Sequence, residues 1–405
     1  MYRIAYLTSK DPLDKKSSSG VYYYQSSALK KYCTEIVYLG PVNNLLIRWL
    51  KKVFNFLQKF TRKKYNHGHS LIISRIYGRI FSRKLKEGKF DFIFADKSSC
   101  EIAFLKTNIP LIYSTDATFV NLHDYYPGYT NLFRFSSKES NSIEQNAINN
   151  SSIVICASKW AADSVTEQYR FPARNVHVLP RGANIDFVPD IQQILKKKKN
   201  NICQLLFIGK EYKRKGFQLA FKTMQYIRSV GLPVKLIAVG FTPPPEYIDK
   251  DLEIIDYIDK NTTEGMERFH SLMLNSDFYL QPTRAECMGI AFCEAASFGL
   301  PVITTDTGGV TEVVKDGVNG FALPYQSDHT EYGDKIISIF KSDKDYYNLI
   351  KSSRDYYEKR LNWEVWGEGV KKILDNYNTN QKPEVFQVSE EAEYYIDKSV
   401  IRKVI

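Results

Sequence analysis

Twice along this chain, short apolar runs alternate with longer stretches of helical periodicity, and a break separates the two series. In the first series the runs at 3–8, 35–39, 90–95, 110–115, 152–157 and 175–179 are rich in β-branched and aromatic residues. Several are apolar on both faces, the pattern of a parallel sheet covered by helices. Helical spacing at 21–32, 45–63, 69–87, 98–106, 138–149 and 159–169 supplies the covers. Pro189 and the lysines at 196–199 then interrupt the pattern, so 188–201 reads as a linker with a solvated basic run. The alternation restarts with strands at 202–208, 234–239, 253–258, 277–281 and 301–305 and helices at 216–229, 263–274, 289–299 and 309–315. Helices near 328–340, 343–359 and 364–377 follow, and then a tail, 380–405, that the pattern does not place. Strands alternating with helices build doubly wound α/β sheets, here two of them, and such sheets bind ligands at their carboxyl edges.

Composition narrows the class. A hydrophobic content of 43% with 25% charged residues excludes a disordered or collagen-like chain. No run approaches 18 apolar residues, and the N-terminus turns polar too soon for a signal peptide. Six cysteines without a Cys-x-x-Cys pair read as small buried apolar residues of a reducing compartment, and the product is expected in the cytoplasm. The net charge of +11 is unevenly spread: between positions 41 and 86 there are twelve Lys or Arg and no Asp or Glu. Within that stretch, 45–63 reads as a basic amphipathic helix with apolar positions 46, 49, 50, 53, 56, 57 and 60. Arg48, Trp49, Lys51, Lys52 and Phe56 suit contact with an anionic membrane surface. A helix packed on the core with a solvated basic face is the plainer alternative. No nucleic-acid motif accompanies the charge, so no nucleic-acid partner is expected.

Three segments of the second series carry chemistry. Between Gly209 and Gly216, the cations Lys210, Lys213, Arg214 and Lys215 sit at a strand end and a helix start, a place for a diphosphate. Next, Glu286 and Glu294 flank the amides of Met288, Gly289 and Ile290 at another helix start. Carboxylate, amides and carboxylate would span about 12 Å along a helix, room for a sugar, a diphosphate and a ribose. Glu294 stands among Phe, Cys and Ala, which implies a buried and bonded carboxylate. Third, Gly308-Gly309 precedes Glu312-Val313-Val314 and Asp316-Gly317-Val318-Asn319-Gly320-Phe321.

Together these segments resemble family 4 of the nucleotide-sugar-dependent, retaining glycosyltransferases with the GT-B fold, most strongly over 175–378. The resemblance implies two Rossmann-like domains facing across a cleft: 1–187 on the acceptor side, and 202–362 for the donor. A closing helix, 363–379, would return to the first domain. It implies that Arg214 and Lys215 hold the donor diphosphate and neutralise the leaving group, that Glu286 binds the donor sugar and that Glu294 binds the ribose. Gly209 and the amides of 288–290 would complete the donor site. Ser17-Ser18-Ser19-Gly20 resembles the family's glycine loop over the phosphates, with one glycine, Gly20, where two are common. Where many members carry a sugar-contacting His, this chain has Asp116 as the nearest polar candidate; His123 reads as a loop residue. Arg181-Gly182-Ala183-Asn184 resembles a hinge-proximal segment of the family, with no role assigned to Arg181.

Fixed cations at a departing diphosphate stabilise the transition state without a metal. No cofactor or metal is therefore expected, and Asp249/Asp251 and Asp343/Asp345 read as chance Asp-x-Asp spacings. The leading expectation is a retaining hexosyltransferase that builds envelope or surface polysaccharide on a glycan or lipid-linked acceptor, peripheral at the inner membrane face. A soluble sugar synthase of the same fold and a non-catalytic nucleotide-sugar-binding partner are the alternatives.

Overall fold

A computed structural model describes residues 2–199 and 201–379. The first sheet contains β1 (Tyr2–Leu7), β2 (Thr34–Tyr38), β3 (Phe92–Asp96), β4 (Leu111–Thr115), β5 (Ile153–Cys156) and β6 (Val176–Val178), ordered β2-β1-β3-β4-β5-β6. The second contains β7 (Cys203–Ile208), β8 (Val234–Val239), β9 (Leu252–Ile255), β10 (Phe278–Gln281), β11 (Val302–Thr305) and β12 (Gly320–Leu323), ordered β12-β11-β10-β7-β8-β9. All neighbouring strands run parallel. The expected pair of doubly wound α/β domains is what the chain forms, with β12 added to the strands read from sequence.

Two-residue periodicity divides the first core. Ala5, Leu7, Ile93 and Ala95 face a cluster with Ile73, Tyr77 and Phe81. Ile4, Tyr6, Phe92 and Phe94 face the other way, onto Trp366, Val370 and Leu374 of helix Trp363–Thr379. That helix therefore leaves the second domain and covers the first sheet. Gly367 allows the approach, because a Cβ there would lie 2.5 Å from the Tyr32 ring. Tyr2 donates to Asp375 at 2.7 Å and Tyr32 donates to Glu364 at 2.5 Å along the same contact.

Three local expectations are corrected. The segment read as a free linker contains helix Ile191–Leu195, whose Ile194 is buried in the second domain's core. Its lysines are not simply solvated: Lys197 donates to the carbonyl of Ser276, which caps helix Thr263–Asn275, and Lys199 reaches the carbonyl of Phe340 at 3.0 Å in helix His329–Lys341. Cations at helix ends meet the negative pole of the dipole, while burial pulls Lys197 down to about 8. The stretch 309–315 forms only a short turn, Val310–Glu312, before the chain enters β12.

The third correction concerns the basic helix, which spans Leu45–Gln58 and not 45–63. Its core-facing residues are Ile47, Leu50 and Phe54, a stripe offset from the one expected. Leu45, Leu46, Trp49, Phe56 and Phe60 are exposed, Trp49 to 59% and Phe60 to 74%. Arg48 and Lys52 lie exposed beside them, and Lys51 is half-buried. Among the described residues no helix is long and apolar enough to cross a membrane. All six cysteines are free, five of them buried and Cys287 half-buried. The tail 380–405 lies outside the described residues.

Candidate active site

Strand order decides where loops converge. The first sheet reverses direction between β1 and β3, the second between β7 and β10, and ligand crevices form at such switch points. The loops that follow these four strands carry Gly20, Lys97, Gly209 to Gly216, and Glu286 to Gly289.

After β7, Gly216 adopts φ +81°, and a Cβ there would stand 1.9 Å from the carbonyl oxygen of Pro282. The loops after β7 and β10 are thus interlocked, and the amide of Arg284 donates to the carbonyl of Arg214 at 2.7 Å. Arg214 donates through Nη1 to the Ala285 carbonyl at 2.6 Å and through Nε to Glu211 at 2.8 Å, and its Nη1 lies 3.5 Å from Glu286. Lys215 pairs directly with the same Glu286 carboxylate. Burial would raise the Glu286 carboxyl, but Lys215 and Arg214 outweigh it and hold it below the ordinary carboxylate range. Gly209 lies against the Lys215 stem, where a Cβ would come within 2.9 Å.

Gly289, at φ +95°, starts helix Ile290–Ser297. The amides of the first turn of any helix lack intrahelical partners and carry the positive pole of the dipole. Met288 is buried at this start. Glu294, one turn inside, is buried and accepts from Lys260 Nζ at 2.7 Å. Lys260 also donates to the Asn184 carbonyl at 3.3 Å, so the hinge-proximal segment and Glu294 share one cation.

The first domain contributes a second charged group. Arg181 donates to Asp96 and to Asp116, both at 2.7 Å, and Asp96 also accepts from Ser114 at 2.8 Å and Gln25 at 3.2 Å. Lys97, at the unusual φ of +46°, donates to Ser18 Oγ at 2.8 Å and lies 4.0 Å from Asp116. Burial opposes ionisation of Asp116, yet Arg181 and Lys97 hold it below its ordinary value. Desolvation lowers Lys97, with Asp116 opposing. Ser18, Ser19 and Gly20 are left-handed in succession, at φ 52°, 56° and 84°. Two non-glycine residues in that region cost of order 1–3 kcal/mol each, and Lys97 and the Asn184 amide, 2.8 Å from the Ser19 carbonyl, hold them there. The cluster rests on the second domain, where Met288 Sδ accepts from the Arg181 amide at 3.4 Å.

Two residues that the sequence did not single out bridge the cleft. Tyr125 Oη accepts from the Glu286 amide and lies against Thr307 Oγ1, both at 2.9 Å. Tyr126 donates to Glu286 Oε1 at 3.2 Å, and its ring lies 4.8 Å from the Arg214 guanidinium. Gly308 makes room for this loop, since a Cβ there would be 2.6 Å from Tyr125 Oη. Arg214, Lys215 and Glu286 thus converge on one spot, Glu294 sits beyond the helix start, and Asp116 lies across the cleft in the Arg181 cluster. The helix carrying Arg48 and Trp49 stands on the first domain's outer surface. Asp249 and Asp251 both hold Arg228, at 2.6 Å each. His123 bonds Ser137 at 3.1 Å, as a loop residue.

Comparison with known proteins gives this geometry a family. Residues 188–356 match the model for glycosyl transferases group 1, and residues 41–187 match that for glycosyltransferase family 4. The phosphatidylinositol N-acetylglucosaminyltransferase gpi3 subunit of Schizosaccharomyces pombe is 23% identical over 227 residues, 55% of this chain and 48% of that protein. The chain thus spans about half the length of this curated relative. Sucrose-phosphate synthase of Thermosynechococcus elongatus superposes with a TM-score of 0.65 at 15% identity, covering 93% of this chain and 99% of that one. HepE of Anabaena, solved in complex with UDP and glucose, superposes with a TM-score of 0.61 at 15% identity, covering 93% of this chain and 100% of that one. With both halves matched by glycosyltransferase models and the two sheets superposing on these structures, the chain belongs to family 4 of the glycosyltransferases, with the GT-B fold.

Proposed function

We propose that this glycosyltransferase moves a hexose from a nucleoside diphosphate to a glycan or lipid-linked acceptor, with retention of configuration and without a metal, at the cytoplasmic face of a membrane. The observation that carries the reading is the convergence of Arg214, Lys215 and Glu286 beside the start of helix Ile290–Ser297. As the bond from the anomeric carbon to the phosphate oxygen breaks, negative charge grows on the diphosphate and positive charge on the sugar. Arg214, Lys215 and the helix-start amides meet the first, and they act more strongly on the transition state than on the ground state. The Glu286 carboxylate, ionised by its cations, accepts from sugar hydroxyls. Glu294 receives the ribose hydroxyls, exchanging Lys260 for them. The acceptor hydroxyl attacks on the face the diphosphate leaves, and the departing phosphate takes its proton. With two fixed cations at the leaving group, the chemistry needs no divalent ion.

The relative from Schizosaccharomyces pombe carries phosphatidylinositol in its name, which favours a lipid-borne acceptor here, and HepE binds UDP, which favours a uridine donor. The exposed Leu46, Trp49 and Phe56 beside Arg48 and Lys52 favour an anionic lipid surface as the docking partner. The test is a thermal-shift screen against UDP-, GDP- and ADP-sugars, followed by product analysis with lipid-linked acceptors. Stabilisation by one donor class, and a product of unchanged anomeric configuration, are expected. An inverted product sinks the retaining mechanism. A failure to bind anionic vesicles leaves the soluble-synthase alternative standing.

A further inference from the structure

The Glu286 carboxylate has partners from both domains. Lys215 pairs with Oε2, and the Tyr126 phenol donates to Oε1 at 3.2 Å while accepting from Arg214 Nη1 at 3.3 Å. Donating to a carboxylate while accepting from a cation is what a sugar hydroxyl does in such a place. The phenol comes from the opposite domain, and its neighbour fixes it there. Tyr125 grips the Glu286 amide and Thr307, and its ring packs 5.4 Å from that of Trp160. Tyr125 touches only the main chain of Glu286, so it anchors the loop without using the carboxylate. Tyr126 touches the carboxylate itself.

We infer that Tyr126 is a place-holder for the donor sugar: its hydroxyl satisfies Glu286 until a sugar hydroxyl displaces it, so it lowers the affinity for sugar-bearing donors relative to bare nucleotide. The inference rests on the proposed role of Glu286 in sugar binding. A nucleoside diphosphate engages Arg214, Lys215 and the helix start and leaves the phenol on Oε1. A nucleotide sugar must break that hydrogen bond, and its net affinity is lowered by the strength of the bond. Tyr126→Phe keeps the ring over Arg214 and deletes only the competing hydroxyl.

The experiment is calorimetric titration of the full chain with UDP and GDP and with UDP-glucose, UDP-galactose, UDP-N-acetylglucosamine and GDP-mannose. In Y126F the nucleotide sugar is expected to bind about three- to tenfold tighter, the scale of one net hydrogen bond, while its nucleoside diphosphate changes less than twofold. Tyr125→Phe, which loosens the anchor, is expected to shift both ligands alike. Unchanged or weaker sugar-donor binding in Y126F overturns the place-holder, because the phenol is then passive or a direct sugar contact. Equal shifts for both ligands in Y126F also overturn it. If the unmodified protein binds none of the six ligands, the proposed donor site itself fails.

Discussion

The two walls of the cleft hold buried charge in opposite ways. In the second domain, Lys215 and Glu286 keep 15% and 10% of their side chains exposed, and their partners are each other, Arg214 and a phenol from across the cleft. In the first, Arg181 and Asp96 are sealed at 2% and 0%, and Arg181 ties the end of β3 to the loop after β4 through Asp96 and Asp116. The first set can exchange its partners for a ligand, whereas the second is a frame that cannot let go without leaving a charge in an apolar interior. Charge at a cleft is therefore no guide to chemistry until its remaining exposure is known.

Breaking the frame should have the largest effect on stability. Arg181→Ala leaves Asp96 without its cation and Asp116 with Lys97 alone, 4.0 Å away, and a loss of about 3–5 kcal/mol in denaturant unfolding is expected. Asp116 sits below its ordinary value of 3.8, so the unfolded chain takes up its proton first as pH falls. The Asp116 contribution is thus full above that value and fades as pH drops through the lower folded one. The gap between the protein and R181A should narrow there. Lys215→Ala, on the exchangeable wall, should leave the unfolding midpoint almost in place because Arg214 remains beside Glu286. It should cut turnover by about 10²–10³-fold, more than it cuts donor affinity; full turnover would remove Lys215 from the leaving group. Glu294→Ala should weaken nucleoside diphosphate binding by about tenfold or more, the scale of a hydrogen bond to a charged group, with turnover at saturating donor little changed. The smallest effect belongs to the outer surface. Arg48→Ala and Lys52→Ala should each lower binding to anionic vesicles by about fivefold, from roughly 1 kcal/mol per cation near a charged bilayer, as read by co-sedimentation.

How legible each wall is from sequence follows from the same difference. The second wall is built from contiguous loops, so the cations before Gly216 and the pair Glu286 and Glu294 can be seen side by side in the chain. The first is assembled from the ends of β3, β4 and β6, and no local pattern joins Asp96, Asp116 and Arg181. Arg181 stood out only as a departure from a motif, and Lys97 not at all. The sheets were read from strands apolar on both faces; β12 escaped because it is four residues that begin at Gly320. On helix Leu45–Gln58 both the stripe 46, 49, 53, 56 and the stripe 47, 50, 54 satisfy helical spacing, so periodicity could not say which face meets the core. Tyr125-Tyr126 had one signal available, adjacent aromatics in a polar loop ahead of Pro127-Gly128, where burial needs a partner from elsewhere.

Helix Trp363–Thr379 has a consequence for biogenesis. Ribosomes deliver the N-terminal strands first, yet the cluster that holds Ile4, Tyr6, Phe92 and Phe94 is completed by Trp366, Val370 and Leu374, which emerge after the whole second domain. The half that is translated early is thus finished late, with part of its aromatic surface uncovered on the nascent polypeptide until helix Trp363–Thr379 emerges. A stop codon ahead of position 363 would strip this cover from the first domain, although the second domain is the one nearer the lesion.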